Sequence, residues 1–105
     1  SSTDKKAKSV DISKHVDSDG DVKVQFTYQQ GAHRLAISKV ELLEDGKVIS
    51  TDGHKGFTGG TNIKNTYTLS LKNYSKEHKY TLRYTANSDG GTDSKGVIKL
   101  LLGDL

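Results

Sequence analysis

Cysteine, proline, methionine and tryptophan are all absent from this 105-residue sequence. Without cysteine there is no disulfide staple, no thiolate metal site and no sulfur nucleophile, so stability has to come from packing alone. Without tryptophan, and with aromatics at only 7% of residues, the chain is poor in the flat rings that stack on sugars. The lack of methionine, together with the opening SSTDKKAK, makes a processed chain or a domain excised from a larger protein the expectation, with any targeting signal outside this sequence. No apolar run approaches the roughly 18 residues needed to cross a bilayer, and no signal-type segment opens the chain, so membrane insertion is not expected. Catalytic signatures are missing too. His15, His33, His54 and His78 are far apart with no HExxH spacing, and no serine sits in a GxSxG elbow.

Charge of neither sign dominates. The formal net charge is +3, but the 16 basic and 13 acidic residues are interspersed along the whole chain. That pattern is a solvated surface; a nucleic-acid partner would call for clustered Lys and Arg beside exposed aromatics. The hydrophobic content of 31% supports one modest core, hence one domain. Residues 1–8 are small, polar and charged and read as a disordered linker or tail, leaving 9–105 as the domain.

Within the domain the hydrophobic period is two. Val22, Val24, Phe26 and Tyr28 alternate with Lys23, Gln25 and Thr27, as Tyr67, Leu69 and Leu71 do with Thr66, Thr68 and Ser70, and Tyr80, Leu82 and Tyr84 with Thr81, Arg83 and Thr85. Leu35 and Ile37 set one parity and Val40 and Leu42 the other, which predicts a β-bulge near Ser38. Shorter strands are expected at Val10 to Ser13, Lys47 to Thr51 and Gly96 to Leu101, with a tight hairpin turn at Asp45-Gly46. Seven short strands separated by turn signals predict an all-β, seven-stranded antiparallel sandwich, with Val24, Phe26, Ile37, Leu69, Leu82 and Tyr84 in its core.

The stretch from Thr66 to Ala86, TYTLSLKNYSKEHKYTLRYTA, resembles strand E, the E–F connection and strand F of a fibronectin type III or immunoglobulin-like domain. Tyr80 would then be a tyrosine corner, its hydroxyl bonding back to the backbone near the turn. From about Val10 to Leu101 the motif order GAHRL, DGHKGFTGG, NTYTL and SDGGTDS resembles a C-terminal accessory β-sandwich of secreted bacterial glycoside hydrolases, β-hexosaminidase-like or α-fucosidase-like. The resemblance implies a glycan-degrading parent whose catalysis resides in another domain, and a secreted, periplasmic or cell-surface location. It carries no catalytic residue onto this chain.

Each remaining motif has a plain structural reading beside a functional one. Asp17 to Asp21 opens like a calcium loop, but the position where an EF-hand needs Glu is Phe26, inside a strand; a polar turn is the better reading. Among aromatics only Phe57 and Tyr74 fall outside buried-looking strand patterns. If successive strands run antiparallel, the loops at Gln30 to Arg34, Asp52 to Lys64 and Asn87 to Lys95 collect at one end, and Lys14 to Asp21, Glu44 to Gly46 and Lys72 to Lys79 at the other. The first end would gather His33, Arg34, His54, Phe57, Thr58, Gly59, Gly60, Asn62, Asp89, Thr92 and Asp93 as ligand or interface residues. Mutual bonding, such as Arg34 or His33 to Asp89 or Asp93, is the structural alternative. The expectation is therefore a monomeric, non-catalytic module with no cofactor and no metal, partnered by the catalytic domain of its parent protein. The alternative is a carbohydrate-binding module that takes glycan through these loops.

Overall fold

The computed structural model describes residues 7–30, 35–58, 64–88 and 95–102. They form strands β1 (Ala7–Asp11), β2 (Gly20–Gln30), β3 (Leu35–Glu44), β4 (Lys47–Asp52), β5 (Gly56–Thr58), β6 (Lys64–Leu71), β7 (Tyr80–Ser88) and β8 (Lys95–Leu102), with a single 3-10 turn at Ser13–His15. Every pairing is antiparallel. One sheet has the order β1-β7-β3-β4, with β5 also on β3, and the other has the order β6-β2-β8.

The period-two pattern decides which face is buried. Val22, Val24 and Phe26 of β2 and Tyr67, Leu69 and Leu71 of β6 meet Ile37, Val40 and Leu42 of β3 and Tyr80 and Leu82 of β7 in one cluster. Both sheets thus bury a face in a common, sandwich-like core. Tyr84, expected in that core, packs against it while staying partly exposed. The parity change in β3 is resolved by Lys39, which adopts φ 55° while the register to β7 shifts between Ser38 and Val40. Skipping one residue lets Ile37 and Val40 face the same core. The β3–β4 hairpin turns through Asp45 (φ 49°) and Gly46 (φ 85°), with Glu44 opposite Lys47. Positive φ at both central residues matches the right-handed twist of the flanking strands, and Gly46 adopts its value without steric cost.

Three features differ from the sequence expectation. Strand β1 starts at Ala7, so Ala7 and Lys8, assigned to the tail, pair with Thr85 and Tyr84. The strand also ends earlier than Ser13: Asp11 Oδ1 accepts the Ser13 N–H at 2.9 Å and bends the chain into the 3-10 turn, while buried Ile12 donates its N–H to Tyr80 O at 2.9 Å. Second, β5 is an additional short strand that continues along the β3 edge already held by β4. Third, an immunoglobulin-type sandwich places its first strand beside the second and its last beside the penultimate. Here β1 lies beside β7 and β8 beside β2, so the terminal strands occupy exchanged edges.

The end of the molecule holding the β3–β4 turn is tied together by side chain to backbone bonds. Asp19 accepts the N–H groups of Asn73 (3.0 Å) and Tyr74 (2.7 Å), fastening the β1–β2 connection to the β6–β7 connection. Asp45 N–H donates to Lys79 O at 2.8 Å, and Lys79 N–H to Asp45 Oδ1 at 2.9 Å. Tyr80 is fully buried; its hydroxyl accepts the Ser75 N–H at 3.0 Å and donates to Glu44 Oε2 at 2.6 Å. The bond back to the chain five residues upstream is the tyrosine corner expected from the sequence. Tyr74, one of the two aromatics outside the buried-looking strand patterns, stacks on Tyr80 at 5.5 Å. In the Asp17 to Asp21 segment, residues 17–19 lead into β2, which begins at Gly20, and the central carboxylate, Asp19, is committed to two backbone donors.

Two measurements test this account. Leu82 has no exposed surface, so Leu82→Ala should cost about 2 to 5 kcal/mol in urea denaturation; a loss under about 0.5 kcal/mol would place the core elsewhere. The second concerns pH. His78 Nδ1 lies 3.2 Å from Glu44 Oε2 and 3.7 Å from Asp45 Oδ2. The Glu44 hydrogen bond, and then the Asp45 charge, hold His78 above its ordinary 6.5, and the Tyr80 and His78 hydrogen bonds hold Glu44 below its ordinary 4.5. The His78 contribution is complete below 6.5 and is lost as pH rises through the raised folded-state value; the Glu44 contribution is complete above 4.5 and is lost on acidification. Between about pH 6 and 9 the melting temperature of the native chain should therefore fall more steeply than that of His78→Gln. Parallel curves would show that His78 is not coupled to folding.

Candidate functional site

The strands that flank the three motif-bearing loops finish at one end of the two sheets. Leu35 of β3 pairs with both Ser88 of β7 and Thr58 of β5, while Gln30 of β2 pairs with Lys95 of β8 and Thr27 with Lys64 of β6. His33, Arg34, Gly59, Gly60, Asn62, Asp89, Thr92 and Asp93 lie outside the described residues. Phe57 and Thr58 are placed by their backbone, opposite Ala36 and Leu35. Of the predicted site residues, His54 is the one whose side chain is described.

His54 belongs to a clasp that pins the β4–β5 connection onto β6. The sequence Asp-Gly-His folds as an Asx turn: Asp52 Oδ1 accepts the His54 backbone N–H at 3.2 Å and lies 2.7 Å from His54 Nδ1. Asp52 Oδ2 accepts the Thr68 N–H of β6 at 2.9 Å. The imidazole lies flat on the Tyr67 ring, with centroids 3.9 Å apart and planes inclined by 14°. Tyr67 reaches across the core and donates its hydroxyl to Ile37 O of the other sheet at 3.2 Å, so that hydroxyl is the acceptor for Asn65 Nδ2 at 3.1 Å. Asn65 Oδ1 is thereby turned toward His54 Nε2 at 3.4 Å. Both ring nitrogens of His54 face side-chain oxygens, Asp52 Oδ1 on one side and Asn65 Oδ1 on the other. Gly56 completes the clasp: a side chain there would strike the Asn65 amide, so β5 approaches this closely only as glycine.

Burial alone would raise the Asp52 carboxyl, but the Thr68 N–H and the two His54 bonds outweigh it and leave it below the usual carboxylate range. Burial also holds the Tyr67 phenol above its ordinary value. Chemically, Asp52 and His54 have the geometry of a base and its orienting carboxylate, but the outer nitrogen meets an amide oxygen, which is no nucleophile. Among the described residues no three His, Cys, Asp or Glu side chains come together as metal ligands.

Sequence reasoning singled out His54 but passed over Asp52, Asn65 and Tyr67. The signals were present: Asp-x-His is a turn in which the carboxylate caps its own backbone, and Asn65 and Tyr67 share one parity of β6. The motifs DGHKGF and NTYTL therefore meet in space, with His54 on Tyr67 and Gly56 against Asn65. Asp52→Ala removes one acceptor group from three donors and should cost about 1 to 3 kcal/mol in chemical denaturation. It should also free the His54 ring from Tyr67, visible as a loss of ring-current shifts on the imidazole protons; unchanged shifts and stability would show that the clasp carries nothing. No protein-family model matches this chain, and no curated protein matches it.

Proposed function

We propose that this chain is a non-catalytic accessory module of a larger secreted bacterial glycan-degrading protein, packing against or spacing that protein's catalytic domain. In this reading it is a monomeric sandwich of the immunoglobulin or fibronectin type III kind. Counting β4 and β5 as one interrupted edge strand gives seven strands, and β2, β3, β4, β6 and β7 keep the neighbour relations of strands B, C, C′, E and F, although the terminal strands are exchanged.

The observation that carries the functional reading is how the aromatic rings are used. Phe26 meets Tyr67 and Tyr84 edge-on, Tyr74 stacks on Tyr80, and His54 covers Tyr67. Each of these rings serves the fold, so among the described side chains none is left as a platform for a pyranose. The second reading, glycan recognition through the loop end, is favoured by the convergence of the strand ends that flank the three motifs, with Phe57 as its aromatic.

Incubation of the purified chain with a panel of aryl-glycosides should give no turnover above a buffer blank. Turnover abolished by replacing a single Asp or Glu would overturn the non-catalytic reading. In binding assays against isolated glycans, saturable binding lost in Phe57→Ala with unchanged stability would move the assignment to the second reading. The accessory reading expects affinity for the neighbouring domain of the intact protein instead.

A further inference from the structure

Far from the loop end, a shallow groove of about 350 Å³ opens between the two sheets, lined by Glu44, Ile49, Ser70, Lys72 and Asn73. It has a definite structural origin. Along the β4/β6 flank the sheets are laced by side chain to backbone bonds, Asp52 to Thr68 N–H and Ser50 Oγ to Ser70 N–H, the latter at 2.9 Å. The lacing stops at Ser70. There the register of β4 on β3 slips, with Leu42 opposite Ser50 but Leu43 opposite Val48, so that Ile49 is the extra, bulged residue. Ile49 packs against the core and also forms an apolar part of the groove wall.

We infer that this groove is a binding site for a small neutral polyhydroxylated ligand, a sugar unit or polyol, separate from the loop end. Glu44 and the Asn73 backbone are held in place before any ligand arrives. Glu44 Oε2 accepts from Tyr80 at 2.6 Å and lies 3.2 Å from His78 Nδ1, which fixes that oxygen and leaves Oε1 without a protein partner among the described residues. The Asn73 backbone is set by its bond to Asp19 and its left-handed φ of 58°. Ser70 and Lys72 complete the lining and bring a hydroxyl-bearing and an ammonium-bearing side chain to it. One carboxylate and one ammonium give the lining no net charge. An anionic ligand would meet Glu44 and a cationic one Lys72, whereas a neutral ligand bearing several hydroxyls can donate to Glu44 and accept from Lys72 and Asn73. The volume lies at the small end of ligand sites, which limits the ligand to one or two rings. With Ile49 in place of an aromatic platform, affinity on the order of 1 mM is expected. The inference does not depend on which domain the module accompanies.

The test is a titration of the isotope-labelled chain, followed by amide shifts, with neutral mono- and disaccharides and with a charged amine sugar and a charged uronic acid of the same ring. The expected result is saturable shifts centred on Ile49, Ser70, Lys72 and Asn73, with both charged analogues weaker. Asn73→Gly keeps the left-handed backbone and deletes the amide, and Ser70→Ala deletes one hydroxyl. Each should weaken binding by about two- to tenfold, the usual range for one hydrogen bond, without lowering the melting temperature by more than a few degrees, while Phe57→Ala should have no effect. Absence of saturable shifts with every neutral sugar overturns the inference. So does binding that both groove variants leave intact and Phe57→Ala abolishes, which would assign the sugar to the loop end.

Discussion

Two tyrosine hydroxyls buried between the sheets impose the constraint on which much else in this structure depends. A phenol oxygen taken out of water without a partner costs more than the ring's burial comfortably offsets, so wherever such a ring is buried the surrounding chain must bring it a donor and an acceptor. Tyr67 and Tyr80 are both fully buried, one toward each end of the molecule. At one end Tyr67 is satisfied by Asn65 and Ile37 O, and that pair positions the Asp52–His54 turn. At the other, Tyr80 is satisfied by Ser75 N–H and Glu44, and that pair positions the β6–β7 connection and the wall of the groove. The hydrophobic cluster holds the sheets together, and the two hydroxyls specify how the loops at each end sit on them.

The same economy of polar groups governs the sheet edges. An edge strand exposes unpaired N–H and C=O groups, which invite pairing with another chain. On one flank β6 is protected because Thr68 and Ser70 donate to side chains of β4 in the opposite sheet. On the edge formed by β1 the protection is different. Lys8 and Val10 occupy positions paired with Tyr84 and Leu82, whose side chains pack in or against the core, yet β1 is exposed along its length and Val10 remains 39% exposed. A charged residue at such a position of a short edge strand makes continued strand addition unfavourable.

How much of this was legible in the sequence follows from the range of each signal. Alternation is local, so β2, β6 and β7 could be read directly, and the parity change between Ile37 and Val40 revealed the Lys39 bulge. The Asp45-Gly46 turn and the Tyr80 corner were legible for the same reason, each being a short motif with its own conformational demand. The start of β1 is hidden because Ala7 and Lys8 share the small, polar and charged composition of residues 1–8 and carry no apolar alternation. Strand β5 has three residues, too few for any period. The exchange of the terminal strands between edges leaves no trace in a period-two pattern, since every strand would alternate identically on either edge. The Asp52–His54–Asn65–Tyr67 clasp joins residues from two motifs, and no spacing rule says that they meet. At the loop end the His54 side chain serves the clasp.

Carboxylates show how the fold's own needs narrow the functional choices. An Asp-rich segment such as Asp17 to Asp21 opens like a cation loop in sequence, although a polar turn is its better reading. In the folded chain Asp19 is bound to two backbone N–H groups, Asp45 to Lys79 N–H, Asp52 to Thr68 and His54, and Glu41 to Arg83 Nε at 2.9 Å. A carboxylate committed in this way has fewer lone pairs for a hard cation and is held apart from the next one, so these acids act as staples between neighbouring strands and loops. Aromatic rings are consumed in the same manner by packing and by stacking on one another. Any recognition by the described surface must therefore rest on groups that the scaffold holds but does not use up. That condition favours a rigid, mixed-polarity groove and weak contact with a neutral partner over a deep, strongly charged or aromatic site.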